Sequence, residues 1–371
     1  MKKSLLAIAA CLFSYEAQTL DPEIDTAQYE LQSKVTAVAI ELAAMTSIPA
    51  AGVTVARCNT VASSTKGIPK LGLNNALASE PLFNIGSNAK SMLATVAARL
   101  VANGQISFET TIRESGAFPN LEANHPFANV TLQELFSHTS GMATFHTGAM
   151  LNTVQTTGTA AEQRRQFAEL ALNSPPAGAR GQAAYSNAGI TIAGVMLEHA
   201  ANTDALQLLS DHLFQPLALS AHVGDAADDA KGQPIGHFIS DDGTLTPYLE
   251  QEPAIPPFLQ SAGYISISAK DYGKYLQLHL CGLRGEESEV LSAQAIQHLH
   301  HPVTNSPYAL GWAKTEFAGE EASFHVGGTG TFMAFAVVLP KSGKAIGIMI
   351  NSPAPEARSA AIAKLRQLAE I

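Results

Sequence analysis

The sequence is poor in the features that mark several large protein classes. Its 371 residues include three cysteines and one tryptophan, which excludes a small domain stabilised by many disulfides. Lysine and arginine number 22 against 32 acidic residues, for a net charge of −10, so no nucleic-acid partner is expected. The longest apolar runs, 189–197 and 332–339, are too short to cross a bilayer as helices. We therefore predict no transmembrane segment.

Several catalytic signatures are missing as well. The sequence contains no Gly-x-Ser-x-Gly elbow, which argues against an α/β-hydrolase. It also contains no His-Glu-x-x-His zinc motif and no Walker loop. The run QHLHH at 297–301 is interpreted as a solvated helix end, not a metal site, because no partnered carboxylates accompany it. We predict neither a metal nor another cofactor.

The composition that is present is that of an ordinary globular protein, with 46% apolar and 15% charged residues. Strand-like runs lie near both ends: AGVTVARC and PLFNIG early, TFMAFAVVLP and KAIGIMIN late, the last two flanking a short turn at 340–343. Helical patterns frame these runs. The early one places Leu31, Val35, Val38 and Leu42 on one row, and the late one covers 356–370.

Because the middle of the chain shows mostly helical patterns, we predict an α+β fold. It consists of an antiparallel β-sheet flanked by helices, with an inserted, mostly helical domain. The segments 20–103 and 305–371 would form the α/β domain and 104–304 the helical one. A cleft between them is the natural place for a ligand. The oligomeric state cannot be read from this pattern.

Residues 1–19 have the pattern of a secretory signal peptide. Lys2 and Lys3 precede an apolar stretch at 5–13, and polar residues follow. A lipoprotein cleavage box at Cys11 is the alternative, although it comes early for one. We expect an exported protein, periplasmic or secreted. Cys58 and Cys281, far apart in the chain, are expected to be separate buried thiols.

One serine and one lysine stand out where a strand-like run becomes a helical pattern. In FNIGSNAKSML, Ser87 and Lys90 lie one helical turn apart. Lys90 shares its row with Ala94 and Ala97, so we expect its amine to be buried, with a lowered pKa, and able to take a proton from Ser87. A capping Ser87 beside a surface Lys90 is the alternative. The other Ser-x-x-Lys, at 63–66, runs into glycine and proline and is interpreted as a turn.

A second motif is Tyr185-Ser-Asn187, within GQAAYSNAGIT. In the functional interpretation, Tyr185 shuttles a proton between Ser87 and the leaving group, with its phenol pKa lowered by Lys90. Asn187 would hydrogen-bond to Lys90 and to the substrate. A tyrosine that packs a loop is the alternative, and the motif alone does not decide between the two.

A third motif places a cation and glycines at a strand edge. His-x-Gly begins at His146, His222 and His325, and the first two, in the helical middle, are interpreted as incidental. After His325 come Gly327 and Gly328, where small residues would let a substrate lie along the strand and the Gly328 N–H would help form an oxyanion hole. A glycine-rich connection between two strands is the alternative.

In this order, Ser87-x-x-Lys90, Tyr185-Ser-Asn187 and His325-Val-Gly327 resemble the motifs of the serine β-lactamase and penicillin-binding superfamily. The pieces FNIGSNAKS, LVANGQISFETTI, LQELFSHTSGM, QSAGYISISAKDYGKY and YALGWA resemble it too, so the likeness covers almost everything from about residue 30 onward. The branch that the chain is similar to holds class C β-lactamases, D-Ala-D-Ala carboxypeptidases and β-lactamase-like carboxylesterases.

The resemblance implies an antiparallel sheet with a mostly helical domain, a covalent acyl-serine intermediate and no metal. It implies that Ser87 is the nucleophile, Lys90 its proton partner and Tyr185 the general base. The backbone N–H groups of Ser87 and Gly328 would form the oxyanion hole. The implied substrate-binding residues are Asn187, His325 and Gly327.

A departure from the family pattern suggests the substrate. β-Lactamases of this type carry Lys-Thr-Gly where this chain has His325-Val326-Gly327. Valine removes a hydroxyl that carboxylate-recognising relatives use, and each missing hydrogen bond to a buried carboxylate costs on the order of 1–3 kcal/mol. We predict a serine acyl hydrolase, most simply a carboxylesterase on small neutral esters. A D-Ala-D-Ala carboxypeptidase or β-lactamase, and a slowly acylated binding or sensor protein, are the alternatives.

Overall fold

The computed structural model describes residues 22–73, 75–224, 226–249, 255–303 and 306–371, with side chains from residue 26 onward. The predicted signal peptide and Cys11 lie outside these ranges. Within them, no helix combines the length and the apolar character that crossing a membrane requires. Export from the cell therefore stays a prediction.

The strands of the described residues form three antiparallel groups. In chain order they are β1 (Ala50–Arg57), β2 (Thr60–Gly67), β3 (Leu82–Asn84), β4 (His222–Val223), β5 (His237–Ile239), β6 (Leu245–Pro247), β7 (Ile265–Ser268), β8 (Ala313–Phe317), β9 (Glu320–Gly328), β10 (Met333–Leu339) and β11 (Lys344–Ile350). The main sheet has the order β2-β1-β11-β10-β9-β8, so the first strand, β1, pairs with the last one, β11. β3, β7 and β4 form a second sheet, and β5 and β6 form a hairpin.

Helices cover the main sheet and fill the middle of the chain. They are α1 (Pro22–Ala43), α2 (Ala89–Ala102), α3 (Leu132–Phe136), α4 (Gly148–Leu151), α5 (Ala160–Leu172), α6 (Asn187–Ala201), α7 (Ala205–Leu209), α8 (Gln260–Gly263), α9 (Ala269–Leu283), α10 (Ala293–His300) and α11 (Pro355–Ala369). A 3₁₀ turn at Gly86–Asn88 leads directly into α2. This mixture of helices and antiparallel strands confirms the predicted fold class.

One face of the main sheet is covered by the helices at the two ends of the described chain. The terminal-helix cluster, all buried, consists of Leu31, Val35, Val38, Leu42, Val53, Phe335, Val337, Ile346, Ile348, Leu365 and Leu368. The strand members alternate along β10 and β11, as one face of a pleated strand requires. Both predicted apolar helices and the late hairpin are confirmed. Burial of each large side chain contributes about 1.5–3 kcal/mol.

The other face carries α2, α9 and the helical middle. The inner cluster on this face includes Phe83, Met92, Leu93, Phe136, Ile190, Leu276 and Trp312. α9 packs closely against β1, and this packing requires a glycine at position 273. A Cβ there would come within 2.3 Å of the Thr54 Oγ1. α2 is buried on nearly every side, and its polar residues Lys90, Ser91 and Thr95 are buried with it.

Residues 104–304 carry α3 to α10, which agrees with a helix-rich middle, and also the short strands β4 to β7. The division into domains at 103 and 304 stays a prediction. The interpretation of 63–66 as a turn is wrong, because these residues lie in β2. The Ser63 carbonyl there accepts a hydrogen bond from Gln32 Nε2 (2.8 Å), which fixes this copy of Ser-x-x-Lys at the sheet edge, under α1.

The expectation of two separate thiols is also wrong. Cys58, just after β1, and Cys281, in α9, form a disulfide, with their Cα atoms 5.4 Å apart. The packing of α9 across β1 brings together two positions that the sequence separates. Distance along the chain therefore gave no measure of distance in space here.

Candidate active site

Ser87 lies where the chain leaves the second sheet and enters α2. β3 pairs with β7, and the Ile85 N–H continues that pairing by donating to the Ile265 carbonyl (2.9 Å). Gly86 then turns the chain with a φ of +50°, a conformation that glycine adopts without strain. The residue that precedes α2 is Asn88, and no side-chain cap is made there. The Ser87 hydroxyl is therefore not used as a helix cap, and it reaches the surface of a cavity.

Lys90 is fully buried behind Ser87. Its Nζ donates to the Ser87 Oγ (2.9 Å) and to the Ala262 carbonyl (2.6 Å), and it lies 5.1 Å from the centre of the Tyr185 ring. Burial lowers the Lys90 pKa to about 7, because a low-dielectric site disfavours the charged form. Near neutral pH a large fraction of this amine is therefore uncharged and able to take the Ser87 proton. The surface alternative for Lys90 is excluded.

Tyr185 approaches Ser87 from the other side. Its hydroxyl donates to the Ser87 Oγ at 2.8 Å, so the serine oxygen contacts both the amine and the phenol. Burial raises the pKa of Tyr185, a nearby Tyr308 raises it further, and the bond to Ser87 opposes the rise. The predicted lowering of this pKa is wrong. The phenol keeps its proton, and Lys90 is the group whose charge changes near neutral pH.

His325, near the end of β9, is buried and uncharged. Its Nδ1 lies 2.7 Å from the Gly311 carbonyl, which can only accept, so Nδ1 carries the proton. Burial, together with the positive charge of Lys90, lowers the His325 pKa to about 4, and the bond to the Gly311 carbonyl opposes this shift. The expectation of a cation at this strand edge is therefore wrong at neutral pH.

The glycines after His325 bring β9 against the serine turn. A Cβ at Gly327 would lie 1.9 Å from the Ile85 carbonyl oxygen and 2.9 Å from the Ser87 nitrogen. A Cβ at Gly86 would lie 2.6 Å from the Gly328 nitrogen. This backbone-to-backbone contact needs glycine, and it places the main-chain nitrogens of Ser87 and Gly328 beside one another. Both residues line the same cavity, as an oxyanion hole at the Ser87 Oγ requires.

The cavity in front of Ser87 has a volume of about 380 Å³. Its wall consists of Ser87, His146, Gly148, Leu151, Asn187, Ile255, Pro256, Leu259, Ala262, Gly263, Gly328, Thr329 and Gly330. The Asn187 Nδ2 donates to the Phe145 carbonyl (2.9 Å), and Lys90 donates to Ser87 and Ala262 instead of to Asn187. Of the two other His-x-Gly histidines, His146 borders the cavity, whereas His222 pairs within the second sheet.

Two groups at the site were missed in the sequence. The Ala262 carbonyl, which accepts from Lys90, has no signal in the sequence because every residue carries a carbonyl. The His138 ring packs on Tyr185 with 4.4 Å between ring centres. This histidine lies in LQELFSHTSGM, quoted above only for its likeness, and a histidine followed by turn-forming residues was the available signal.

The prediction of a solvated helix end at 297–301 is wrong for His300. His300 is buried, with its Nε2 2.8 Å from the His279 Nδ1 and its Nδ1 2.6 Å from the Ser323 Oγ. Across the part of the chain that the structure describes, the side chains close enough to share a metal ion are Cys58, Cys281 and Glu286. The disulfide already engages both of those sulfur atoms.

The geometry assembles the groups that acyl transfer requires. A serine oxygen contacts a buried amine of lowered pKa and a protonated phenol, and Ser87 and Gly328, whose main-chain nitrogens can stabilise an oxyanion, line the same cavity. An amine that takes the serine proton makes the hydroxyl a nucleophile, and N–H groups fixed in advance stabilise the oxyanion that forms. The arrangement suits attack on an ester or amide carbonyl through a covalent acyl-serine.

Comparisons with known proteins agree with this chemistry. A family model described as Beta-lactamase matches residues 35–370. The chain is 24% identical to penicillin-binding protein 4 of Amycolatopsis lactamdurans over 300 residues, which covers 77% of this chain and 76% of that protein.

Two solved structures illustrate the shared fold. A penicillin-binding protein homologue from Pyrococcus abyssi matches 92% of this chain and 77% of its own, with a TM-score of 0.71 and 18% identity. The D-alanine carboxypeptidase AmpC from Burkholderia cenocepacia matches 94% of this chain and 100% of its own, with a TM-score of 0.68 and 19% identity. With the family model across nearly its whole length, the chain belongs to the beta-lactamase family, and it is a serine hydrolase of the β-lactamase and penicillin-binding type.

Proposed function

We propose that this protein is an exported carboxylesterase that hydrolyses small neutral esters through an acyl-enzyme on Ser87. The observation that supports it best is the uncharged His325 at the strand edge. A histidine that stays neutral cannot balance the carboxylate of a β-lactam or of a peptide C-terminus. A neutral ester carries no charge that the site has to balance.

Acylation begins with the neutral form of Lys90. As the Ser87 Oγ attacks the ester carbonyl, its proton passes to the Lys90 Nζ, 2.9 Å away. The carbonyl oxygen becomes an oxyanion beside the main-chain nitrogens of Ser87 and Gly328. Tyr185 then gives its phenol proton to the departing alkoxide, the ester C–O bond breaks, and the Lys90 ammonium returns a proton to the phenolate.

Deacylation uses the same groups with water in place of the alcohol. Water attacks the acyl carbon, Lys90 accepts its proton, and the same main-chain nitrogens stabilise the second oxyanion. Collapse of that intermediate breaks the bond to Ser87, and the Ser87 oxygen recovers a proton from Lys90. The products are a carboxylic acid and the free enzyme.

The cavity wall supports a neutral substrate. The described residues that form it include no lysine or arginine, and Lys90 faces Ser87 from behind. Most of the wall is apolar or glycine, with polar groups at Asn187, Thr329 and His146. Such a lining favours a small apolar acyl group or alcohol.

The hydroxyl missing at Val326 no longer supports this proposal. The Val326 side chain packs against the terminal-helix cluster, on the face of β9 opposite His325. Valine at this position is accounted for by packing. The neutral-substrate proposal rests instead on His325 and on the cavity lining.

The disulfide supports the export part of the proposal. Disulfides such as Cys58–Cys281 persist in oxidising compartments and are rare in the cytosol. The basic and apolar pattern of residues 1–19 points in the same direction. N-terminal sequencing of the protein recovered from the periplasm or medium tests it, and an intact Met1 in the cytosol would contradict it.

The second candidate is hydrolysis of D-alanyl peptides or β-lactams on the same machinery. It is favoured by the names of similar proteins, a penicillin-binding protein and a D-alanine carboxypeptidase. A third possibility is a sensor that is acylated at Ser87 and does not turn over. Both differ from the esterase in measurable ways.

Parallel assays separate the three candidates. Purified protein is given p-nitrophenyl butyrate, a cephalosporin and a D-Ala-D-Ala peptide, with Ser87→Ala as the control for background hydrolysis. We expect the highest kcat/KM for the ester. Faster hydrolysis of either other substrate would reject the esterase in favour of the second candidate. Stoichiometric acylation without turnover, seen by mass spectrometry, would favour the sensor.

A further inference from the structure

His138 contacts three successive residues around the catalytic tyrosine. Its carbonyl accepts the Ala184 N–H (2.8 Å), and its Nδ1 accepts the Ser186 N–H (3.2 Å). Between these two bonds, its ring packs on Tyr185, with ring centres 4.4 Å apart and planes tilted by 41°. One residue thus fixes the backbone on both sides of Tyr185 and one face of its ring.

The backbone of His138 is itself unusual. Its φ is +58°, in the left-handed region that costs non-glycine residues free energy, although histidine and asparagine tolerate it better than most. The side chain is buried, with Tyr308 edge-on at 5.2 Å. A strained conformation persists where the surrounding contacts hold it, and here those contacts converge on Tyr185.

The hydrogen bonds also fix the proton on the His138 ring. Because Nδ1 accepts from a backbone N–H, the neutral ring carries its proton on Nε2. That Nε2 is buried and has no hydrogen-bond partner in the described structure. Burial, helped by the positive charge of the nearby Lys90 ammonium, holds the His138 pKa well below its usual range. A second proton would remove the acceptor that holds Ser186.

We propose that His138 is a positioning residue that holds the Tyr185 hydroxyl at hydrogen-bonding distance from Ser87. It touches neither Ser87 nor the cavity, so it acts through Tyr185. This inference rests on the proposed serine chemistry but not on the choice of substrate. Because the Tyr185 hydroxyl also holds the nucleophilic Ser87 Oγ by its hydrogen bond, loss of the ring leaves both oxygens free to move. Misplacement of a reacting group by about 1 Å can cost about 10²-fold in rate.

The test compares His138→Asn with the wild type. Asparagine tolerates a positive φ and can offer its Oδ1 to the Ser186 N–H, so the variant removes mainly the ring. His222→Asn, on the second sheet, is the matched control. The readouts are the rate of Ser87 labelling by a fluorophosphonate, and kcat and KM for p-nitrophenyl butyrate. We expect labelling and kcat to fall about 10- to 100-fold, with KM within about twofold.

A double variant separates positioning from a general structural role. If His138 acts through Tyr185, then His138→Asn in a Tyr185→Phe background should slow labelling by less than about twofold. The same loss in both backgrounds would overturn the proposal. So would wild-type labelling by the single variant. Because labelling needs no particular substrate, an absence of ester hydrolysis rejects the esterase and leaves this test standing.

A measurement on the wild type covers the case in which the variant does not fold. Nitrogen-15 NMR of labelled histidines should show His138 as the neutral Nε2–H tautomer from pH 8 down to pH 5.5. A Nδ1–H tautomer, or a charged ring at pH 6, would remove the bond to Ser186 and overturn the proposal. The expected tautomer at both ends of that range would support it.

Discussion

The two faces of the main sheet bury different kinds of side chain. On the terminal-helix face, the buried side chains that the described parts of α1 and α11 contribute are all apolar. On the inner face, Lys90, His138, Arg164 and His279 are buried among the apolar side chains of the helices. One face follows the rule that cores are apolar, and the other departs from it repeatedly.

The buried charged side chains differ in their partners. This difference distinguishes a structural ion pair from a functional group. Burying a charge is costly unless it has a partner. Arg164 has two, the carboxylates of Glu198 and Asp204. Lys90 has no carboxylate partner among the described residues, only a hydroxyl and a carbonyl, so its pKa falls. A buried amine without a counter-charge is the mark of a functional group.

Removal of the nucleophile should give the largest effect. Ser87→Ala should abolish covalent labelling by a fluorophosphonate, because among the described residues only the Ser87 Oγ contacts both Lys90 and Tyr185. Ser63→Ala is the matched control, since Ser63 begins the other Ser-x-x-Lys but lies in an edge strand. Persistent labelling of Ser87→Ala would mean that the nucleophile is another residue.

Removal of the phenol hydroxyl should come next. Tyr185→Phe should lower kcat about 10²–10⁴-fold, the usual contribution of an acid–base group, while the ring still packs on His138. Tyr29→Phe, at an exposed position on α1, is the control. Steady-state kinetics with p-nitrophenyl butyrate measure the effect, and retention of full activity would exclude Tyr185 from the mechanism.

Lys90, which is buried without a carboxylate partner, should set the pH dependence of Ser87 labelling. With a Lys90 pKa of about 7, the neutral form rises about tenfold from pH 6 to pH 8, and the labelling rate should rise with it. Lys90→Arg, which stays protonated, should remove both the rate and its pH dependence. A flat profile in the wild type over this range would refute the assignment of Lys90 as base.

On the terminal-helix face, a core substitution should lower the stability of the fold and leave kcat unchanged. Leu365→Ala in α11 creates a cavity in the terminal-helix cluster and should lower the free energy of unfolding by about 2–5 kcal/mol. Urea unfolding measures this loss. The kcat of the folded variant should stay within twofold of wild type, and a larger change would show that the two faces are coupled.

The smallest effect on substrate affinity is expected at Val326, where the sequence suggested a large one. Val326→Thr should change KM for a D-Ala-D-Ala peptide by less than about twofold, because Val326 packs on the terminal-helix side of β9. The missing hydroxyl alone would have suggested a gain in affinity. A tenfold drop in KM would restore that interpretation and weaken the contrast between the faces.

Local patterns predicted the terminal-helix face well. The row from Leu31 to Leu42, the helix predicted at 356–370 and the late hairpin follow from periodicity within single elements. Lys90 was recognised for the same reason, as an amine on an apolar row. Its spacing from Ser87 is a local quantity that one helical turn determines.

Features that depend on packing between distant segments were not predictable in this way. The Cys58–Cys281 disulfide requires knowing that α9 crosses β1. The raised pKa of Tyr185 and the neutral state of His325 depend on burial by elements far away in the chain. Which side of β9 Val326 faces depends on the register with β10. Each of these is a property of the assembled layers.

The disulfide makes most of the chain a covalent ring. Residues 59–280 lie inside it, with Ser87, Lys90 and Tyr185, whereas His325 and Gly328 lie on the tail outside. A protease that nicks one exposed loop within the ring would leave a molecule of unchanged mass, apart from one added water, until a reductant is supplied. In a protease-rich surrounding, the serine, its amine and its phenol would thus stay tethered to the strand that completes the oxyanion hole.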